Sequence, residues 1–466
     1  MQTKLLLLLA LCCALGSACG GSNTGDTSNG NEGNQAGNGG RGGRGGTLVD
    51  FEDLLDAAMH SDSGDGDGDG DGDGDGDGDG DAPLPDGGGD GDGDGDGDGD
   101  GDGDVTPDVP PVVPENPGAR GPWPVGVRTA LLPIVGAVSA PAEIWYPAVR
   151  GSEVGKSDEV YDYLKWLPPD AQEVVPAIEK PVPVICQGCY RDLPMDTDHG
   201  PYPIALYVHN VGAFRVAAIN MMAHWASRGF IVVALDYPRL NLQDVLAYAT
   251  FGTCTGTGLT EDMTRKRDID LLMEMLRAPK DSFAFLTGVA DATNVAVVGH
   301  GDGADYAARA SGQAGVKLIV QINNGFDVVP AGDVAAVVYI TGLSDTSTVG
   351  RPSAVVSAFT AADVPAVYAA LSGAGALSAT ELCNAKNSLG HDGMDISEAS
   401  ELCGASYGIL RLAWDCKSTY LDQPTANERF SFATVSALEQ YLKAKDRSAA
   451  WQKIDADWGE TRVSTD

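Results

Sequence analysis

Positively charged residues are scarce in this chain. It has 30 Lys and Arg against 67 Asp and Glu, which gives a formal net charge of -37 at pH 7. The segment from Asp50 to Asp104 has 22 Asp, one Glu and no Lys or Arg, so it carries -23 and the rest of the chain carries -14. The sequence has no basic run large enough for nucleic acid, and its overall charge repels phosphate. Nucleic acid is therefore excluded as a partner.

Long hydrophobic runs are also missing, apart from one near the N-terminus. Lys4 precedes the apolar stretch Leu5–Leu15, and small residues come just before Cys19. The stretch is too short for a transmembrane helix and is typical of a secretory signal peptide, here residues 1–18. Small residues before a cysteine resemble a bacterial lipoprotein processing site, which implies a lipid on Cys19 and the membrane as a partner. Gly20 is not an Asp, and by resemblance to sorting rules this favours the outer membrane; the alternative is plain secretion.

Cysteines are few and fall into two groups. Cys12 and Cys13 leave with the signal peptide and Cys19 carries the lipid, so six of the nine cysteines remain. An even number in an exported chain predicts up to three disulfides, with the pairing left open. No second pair at zinc spacing follows the C-x-x-C motif, so disulfides are favoured over a metal site, and no cofactor is expected. The disulfide candidates are Cys186, Cys189, Cys254, Cys383, Cys403 and Cys416.

Residues 19–117 read as a linker rather than a folded domain. Residues 64–104 are Gly-Asp repeats, in which glycine flexibility and aspartate repulsion favour an extended spacer. The repeats resemble calcium loops only superficially, because they lack flanking helices and a terminal bidentate Glu, so loose counter-ion binding is expected. Residues 105–117 are proline-rich and semi-rigid.

Residues 118–460 are expected to form one α/β domain. Short, continuous apolar runs such as PIALYVH, FIVVALD and VKLIVQI are typical of strands buried on both faces. Helical patterns lie between them, in VAAINMMAHWASRG, TEDMTRKRDIDLLMEMLRAP and SFATVSALEQYLKAK. This alternation predicts a mostly parallel sheet covered by helices on both faces.

Several segments together carry a family resemblance. They are GPWPVGVRTALLP, APAEIWYPA, YRDLPMDTDHGPYPIALYVHNVGAFR and HWASRGFIVVALDYP. They resemble the bacterial α/β-hydrolases related to platelet-activating-factor acetylhydrolase, dienelactone hydrolase and cutinase-like esterases. The resemblance implies an α/β-hydrolase fold and the chemistry of a serine esterase, with a Ser-His-Asp triad and two backbone donors for the oxyanion.

Two triad positions have lost the residue that the chemistry needs. The G-x-S-x-G motif appears as GHGDG, residues 299–303, and Gly301 replaces the nucleophilic serine. In GAGALSATELC, Ala376 stands where the resemblance places the histidine, whereas Asp345 retains the acid position. The donor positions fall on Val211 and Asp302. A glycine has no hydroxyl, so no acyl-enzyme forms at this position.

The sequence therefore predicts a pseudo-hydrolase that acts by binding. Its binding partner is expected to be either a hydrophobic or acyl ligand or another protein of the cell envelope. One alternative is an active ester hydrolase with a rewired site, in which Asp302 or a nearby serine attacks and His391 acts as the base. Cys254 is a weaker nucleophile candidate, because a disulfide is its expected state. The other alternative is a structural cell-surface protein in which the acidic spacer matters most.

Overall fold

The fold is taken from a computed structural model. It describes residues 111–135, 138–173, 183–248, 256, 267–328, 332–344, 352–383 and 418–464. The predicted signal peptide, the lipid position Cys19 and the Gly-Asp spacer lie outside these residues. So do Asp345, His391, Cys254, Cys403 and Cys416.

The described residues form twelve strands, ten of which make one sheet. The order across that sheet is β12-β11-β10-β9-β8-β6-β7-β2-β1-β5, while β3 and β4 form a separate two-stranded ribbon. The strands are β1 Val125–Val135, β2 Val138–Pro147, β3 Glu159–Tyr161, β4 Val184–Cys186, β5 Cys189–Arg191, β6 Tyr202–Val208, β7 Ile231–Leu235, β8 Ala290–His300, β9 Val316–Ile322, β10 Ala336–Gly342, β11 Ala366–Leu371 and β12 Gly459–Ser464.

The sheet is mostly parallel, as the sequence predicted. Strands β7, β6, β8, β9, β10 and β11 run parallel to one another, whereas β2 pairs antiparallel with both of its neighbours and β12 pairs antiparallel with β11. The parallel strands are buried along nearly their whole length at the centre of the sheet, which explains their continuous apolar sequences.

Helices cover both faces of this sheet. One apolar core joins the sheet to α2, α7 and α8, and a second joins the opposite face to α4, α5 and α6. The helices are α1 Pro169–Gln172, α2 Ile219–Ser227, α3 Leu242–Tyr248, α4 Arg267–Arg277, α5 Gly303–Arg309, α6 Pro352–Thr360, α7 Gln423–Leu442 and α8 Ser448–Lys453. The α/β class with a doubly covered sheet is thus confirmed.

Two elements differ from the expectation at the C-terminal end. Helix α7 begins at Gln423, well before the predicted SFATVSALEQYLKAK, because the carboxylate of Asp422 accepts the Thr425 N–H and caps the helix. Strand β12 was not predicted, since its sequence GETRVS is short and polar, as suits a strand at the sheet edge.

A buried ion cluster holds the segment that enters the domain. The side chains of Arg228 and Glu439 are fully buried and 2.9 Å apart, and Arg447 also pairs with Glu439. Arg228 further donates hydrogen bonds to the main-chain carbonyls of Pro114, Asn116 and Ala119. Contacts to the domain therefore begin within the proline-rich segment, and the boundary at residue 118 remains a prediction.

The described cysteines are oxidised. Cys186 and Cys189 form a disulfide with each other, and Cys383 is also disulfide-bonded. The C-x-x-C motif is thus a short cross-link across a turn between β4 and β5. Among the described residues, no helix has the length and apolarity needed to cross a bilayer.

Candidate functional site

The centre of the candidate site is a tight turn between β8 and α5. Gly301 lies in this turn with a φ of +55°, in the left-handed region that glycine adopts without strain. The glycines on either side are required by close packing: a β-carbon on Gly299 would lie 2.2 Å from the Gly303 carbonyl oxygen, and one on Gly303 would lie 2.4 Å from that of Val208. The motif therefore forms a strand, a tight turn and a helix, with a glycine in the middle of the turn; this turn, residues 299–303, is the elbow.

Two backbone N–H groups converge beside this turn. They belong to Val211, in the loop after β6, and to Asp302, directly after Gly301. Both donate to the same atom, the side-chain Oδ1 of Asn210, at 2.8 Å from Val211 N and 3.0 Å from Asp302 N. These are the two donor positions that the resemblance in the sequence assigned to an oxyanion hole. The carboxamide oxygen of Asn210 lies between the two N–H groups and accepts from both.

The same carboxamide also fills the space of a serine side chain. A β-carbon built on Gly301 would lie 2.1 Å from Asn210 Oδ1 and 2.4 Å from its Cγ. Any side chain at position 301 must therefore displace Asn210. A glycine at position 301 and the placement of this asparagine are therefore coupled by sterics, which no pattern in the sequence revealed.

His209 holds the loop that carries Asn210. Its Nδ1–H donates to the Asn210 carbonyl at 2.8 Å, and its Nε2 accepts the Tyr237 N–H at 3.2 Å. Complete burial lowers the pKa of His209, although the bond to the Asn210 carbonyl acts in the opposite direction. The ring is neutral with both nitrogens engaged, so it is a structural residue and cannot act as a base.

His300, the last residue of β8, also has both ring nitrogens in contact with other groups of the fold. Its Nε2–H donates to the Ala376 carbonyl at 2.7 Å, and its Nδ1 lies 3.4 Å from the Tyr207 hydroxyl. Burial lowers the pKa of His300 to about 4, so the imidazole is neutral at pH 7. The elbow and the Ala376 segment are thus joined through a histidine that has no free nitrogen.

Asn323, directly after β9, connects the end of β10 with the Ala376 segment that follows β11. Its Nδ2 donates to the Ala376 carbonyl at 2.7 Å, and its Oδ1 accepts the Gly342 N–H at 2.7 Å. Gly342 ends β10 and precedes Asp345 by three residues. The structure therefore brings the Ala376 segment next to the elbow, whereas the acid position Asp345 and the alternative base His391 lie outside the described residues.

Asp302 differs in one respect from the role that its position suggests. An acidic residue before a helix commonly binds free N–H groups of the first turn. The Asp302 side chain makes no capping hydrogen bond to α5, and its backbone N–H donates to Asn210.

Asn210 and Asn323 are the residues that sequence reasoning missed. An H-N pair at positions 209–210 stands where the resemblance places H-G, and this replacement was the available signal. The left-handed residue of the loop is Gly212, with a φ of +70°. Asn210 instead turns its side chain toward the elbow, and only 8 % of its surface is exposed.

The chain matches no family model, and a search of the curated proteins finds no match. Within the described residues, no group of three or more His, Cys, Asp or Glu side chains could hold a metal ion. The arrangement around Gly301 can therefore be interpreted only from its own geometry, which has two converging backbone N–H groups, both bonded to Asn210, and no hydroxyl or thiol at position 301.

Proposed function

We propose that this chain is a non-catalytic protein of the α/β-hydrolase fold that acts by binding. The support for the fold is the elbow turn after a central parallel strand, with one donor N–H after the elbow residue and another in the loop that leads from a strand into α2. The observation that carries the loss of catalysis is the Asn210 side chain, which fills both the oxyanion position and the serine position.

A ligand that reached the elbow would have to displace Asn210, because Gly301 and Ala376 are both buried. Beside the loop of residues 210–215 there is an open cleft of about 240 Å³. Its walls include the apolar side chains of Pro141, Trp166 and Pro238. This cleft is the better place for the hydrophobic or acyl ligand proposed from the sequence. Protection against thermal unfolding by a short fatty acid would support that part of the proposal.

A rescue experiment tests the loss of catalysis. The substitutions Gly301→Ser and Ala376→His restore the two missing triad groups, but Asn210 still occupies the donors. We therefore expect the double variant to leave a short nitrophenyl ester intact, whereas adding Asn210→Gly opens the site and gives turnover. Restoring the two donors is worth roughly 10²–10³ or more in rate, since that is the cost of removing one such donor from an active hydrolase.

The matched control is Asn210→Gly alone, which opens the donors without supplying a nucleophile and should stay inactive. Equal activity of the double and triple variants would show that Asn210 does not block the site. Turnover by the natural protein that disappears in a His391→Ala variant would instead support the rewired hydrolase.

In the cell, the proposal places this domain in the envelope, on the outer membrane, through the lipid on Cys19 and the acidic spacer of residues 19–117. A protein of the envelope is the alternative binding partner. Replacement of Cys19 by Ala should then move the protein from the membrane fraction to the soluble fraction.

A further inference from the structure

The cleft beside the loop of residues 210–215 lies at the carboxyl edge of the parallel strands. Asp236 follows β7 directly, and Arg215 lies in the loop that follows β6. Ligands of open parallel sheets bind at this edge, outside the ends of the strands. The cleft volume of about 240 Å³ is below the roughly 300–1,000 Å³ of sites for drug-sized molecules. Its size therefore suits a small ligand better than a long acyl chain.

Among the described residues that line the cleft, Asp236 supplies the one carboxylate, and the fold uses both of its oxygens. Its Oδ1 accepts the Arg215 backbone N–H at 2.8 Å, and its Oδ2 pairs with the Arg215 guanidinium. The Trp166 Nε1–H also donates to Oδ2 at 3.1 Å. The guanidinium lies over the Trp166 ring, with Cζ 4.9 Å from the ring centroid. Asp236 is therefore neutralised and held in place by groups of the chain itself.

A second carboxylate, that of Glu143, is buried behind the cleft and is not part of its lining. Its oxygens accept from the Thr129 hydroxyl at 2.8 Å and the Tyr161 hydroxyl at 3.0 Å. It also pairs with Arg191 at 2.7 Å, and Arg191 in turn pairs with Glu159. Glu143 thus has both oxygens bonded within the fold and presents none of them to a ligand in the cleft.

Two cationic side chains of the lining have donors that the fold does not use. The exposed ammonium group of Lys165 makes no hydrogen bond or ion pair with the described chain. The Arg215 side chain is 15 % exposed; it bonds Asp236 through Nη1 and has its Nε 3.6 Å from Glu143, while Nη2 has no partner in the described chain. Lysine and arginine nitrogens donate and do not accept, so a ligand here must accept hydrogen bonds. With two cations and one carboxylate in the lining, a negatively charged acceptor complements the cleft best.

We infer that this cleft binds a short-chain monocarboxylate. The carboxylate is bound by Lys165 and by Nη2 of Arg215 through charge-assisted hydrogen bonds, which are stronger than those between neutral groups. The short apolar chain of the ligand packs against the side chains of Val138, Pro141 and Pro238 on the same walls. This inference rests on the proposal that the protein acts by binding in this cleft, and it adds the charge and the size of the ligand.

The test is binding of hexanoate to the purified full-length protein at pH 7, measured by saturation-transfer NMR and calorimetry. Hexanamide is the neutral analogue, since it keeps the chain and the carbonyl acceptor and lacks the charge. We expect a dissociation constant in the millimolar range or below for hexanoate and weaker binding of hexanamide. Lys165→Met removes the ammonium group and keeps an apolar stem, so it should weaken hexanoate about 3- to 10-fold, the usual effect of one lost hydrogen bond.

The matched control is Lys156→Met, which removes an exposed lysine that does not line the cleft and should leave hexanoate affinity unchanged. Both lysines are exposed, so both variants should remain folded. Equal affinity for hexanoate and hexanamide, or an equal effect of the two substitutions, would overturn the inference and leave a binding function intact. Absence of binding by both ligands would overturn the inference together with the acyl-ligand part of the proposed function.

Discussion

The coupling between Asn210 and Gly301 can be measured as a free energy of unfolding. The perturbation is a cycle of four proteins: wild type, Gly301→Ala, Asn210→Gly and the double variant. In wild type the Asn210 Oδ1 accepts two backbone hydrogen bonds and lies 2.1 Å from the position of a β-carbon on residue 301. The two side chains therefore cannot occupy this space together.

The magnitudes follow from the geometry. Gly301→Ala incurs the strain of a non-glycine residue at a φ of +55°, about 1–2 kcal/mol, and also expels Asn210 from two hydrogen bonds worth about 0.5–1.5 kcal/mol each. We therefore expect a loss of about 2–5 kcal/mol. Asn210→Gly should lose about 1–3 kcal/mol, because the two N–H groups then depend on water.

Each single variant loses the same two hydrogen bonds to Asn210, so the double variant loses them once and not twice. It also has no clash at position 301, because the Asn210 side chain is absent. It should therefore be more stable than the sum of the single effects by about 1–3 kcal/mol, which is the range of coupling between residues in contact. Urea unfolding of the four proteins gives this value. Gly288→Ala is the matched control, because Gly288 has a φ of +79° and no atom within 4 Å of its β-carbon position, so it reports left-handed strain alone. Additive single effects would refute the placement of Asn210.

Two further predictions concern stability. The fully buried Glu381 has an Oε2 without a hydrogen-bond partner among the described residues, and burial raises the pKa of this carboxyl to about 8. The folded state then binds its proton more tightly than the unfolded state, so this group contributes stability below about pH 4.5 that is lost as the pH rises to about 8. Glu381→Gln should remove that part of the pH dependence, on the order of a few kcal/mol, and stabilise the protein at pH 8 in urea titrations; an unchanged slope would contradict a buried neutral carboxyl. In the ion cluster, Arg228→Met leaves part of the charge of Glu439 unpaired and should cost about 3–5 kcal/mol. Lys453→Met breaks an exposed pair with Asp457 and a contact with the Trp458 ring, and should cost at most about 2 kcal/mol by the same measurement.

The sheet could be predicted because its signal is local. Continuous apolar runs such as VKLIVQI are sufficient to indicate a strand buried on both faces, and β9 lies where that run does. The edge strand β12 carries Glu460 and Arg462 and lacks such a signal. Helix α7 was placed too late because its first turns are polar and its start depends on the cap at Asp422.

For the candidate site, the sequence predicted which residues stand at the triad positions and no more. Gly301 and Ala376 could be assigned because each is a single residue within a short motif that resembles those of the hydrolases. The position of the Asn210 side chain depends on how closely the loop after β6 approaches the turn after β8. The two residues that meet there, Asn210 and Asp302, are 92 residues apart in the sequence. The pairing of Arg228 with Glu439 spans 211 residues. Such contacts are set by the packing of the whole sheet, which sequence periodicity does not encode.

The most direct test of the central claim is the rate at which the purified full-length protein hydrolyses a short nitrophenyl ester, measured beside labelling by a fluorophosphonate. Two backbone N–H groups that are both bonded to Asn210, and a glycine at position 301, predict no hydrolysis above the buffer blank and no covalent label. Saturable turnover in the enzymic range, about 1 s⁻¹ or more, would contradict the claim that this site has lost its chemistry.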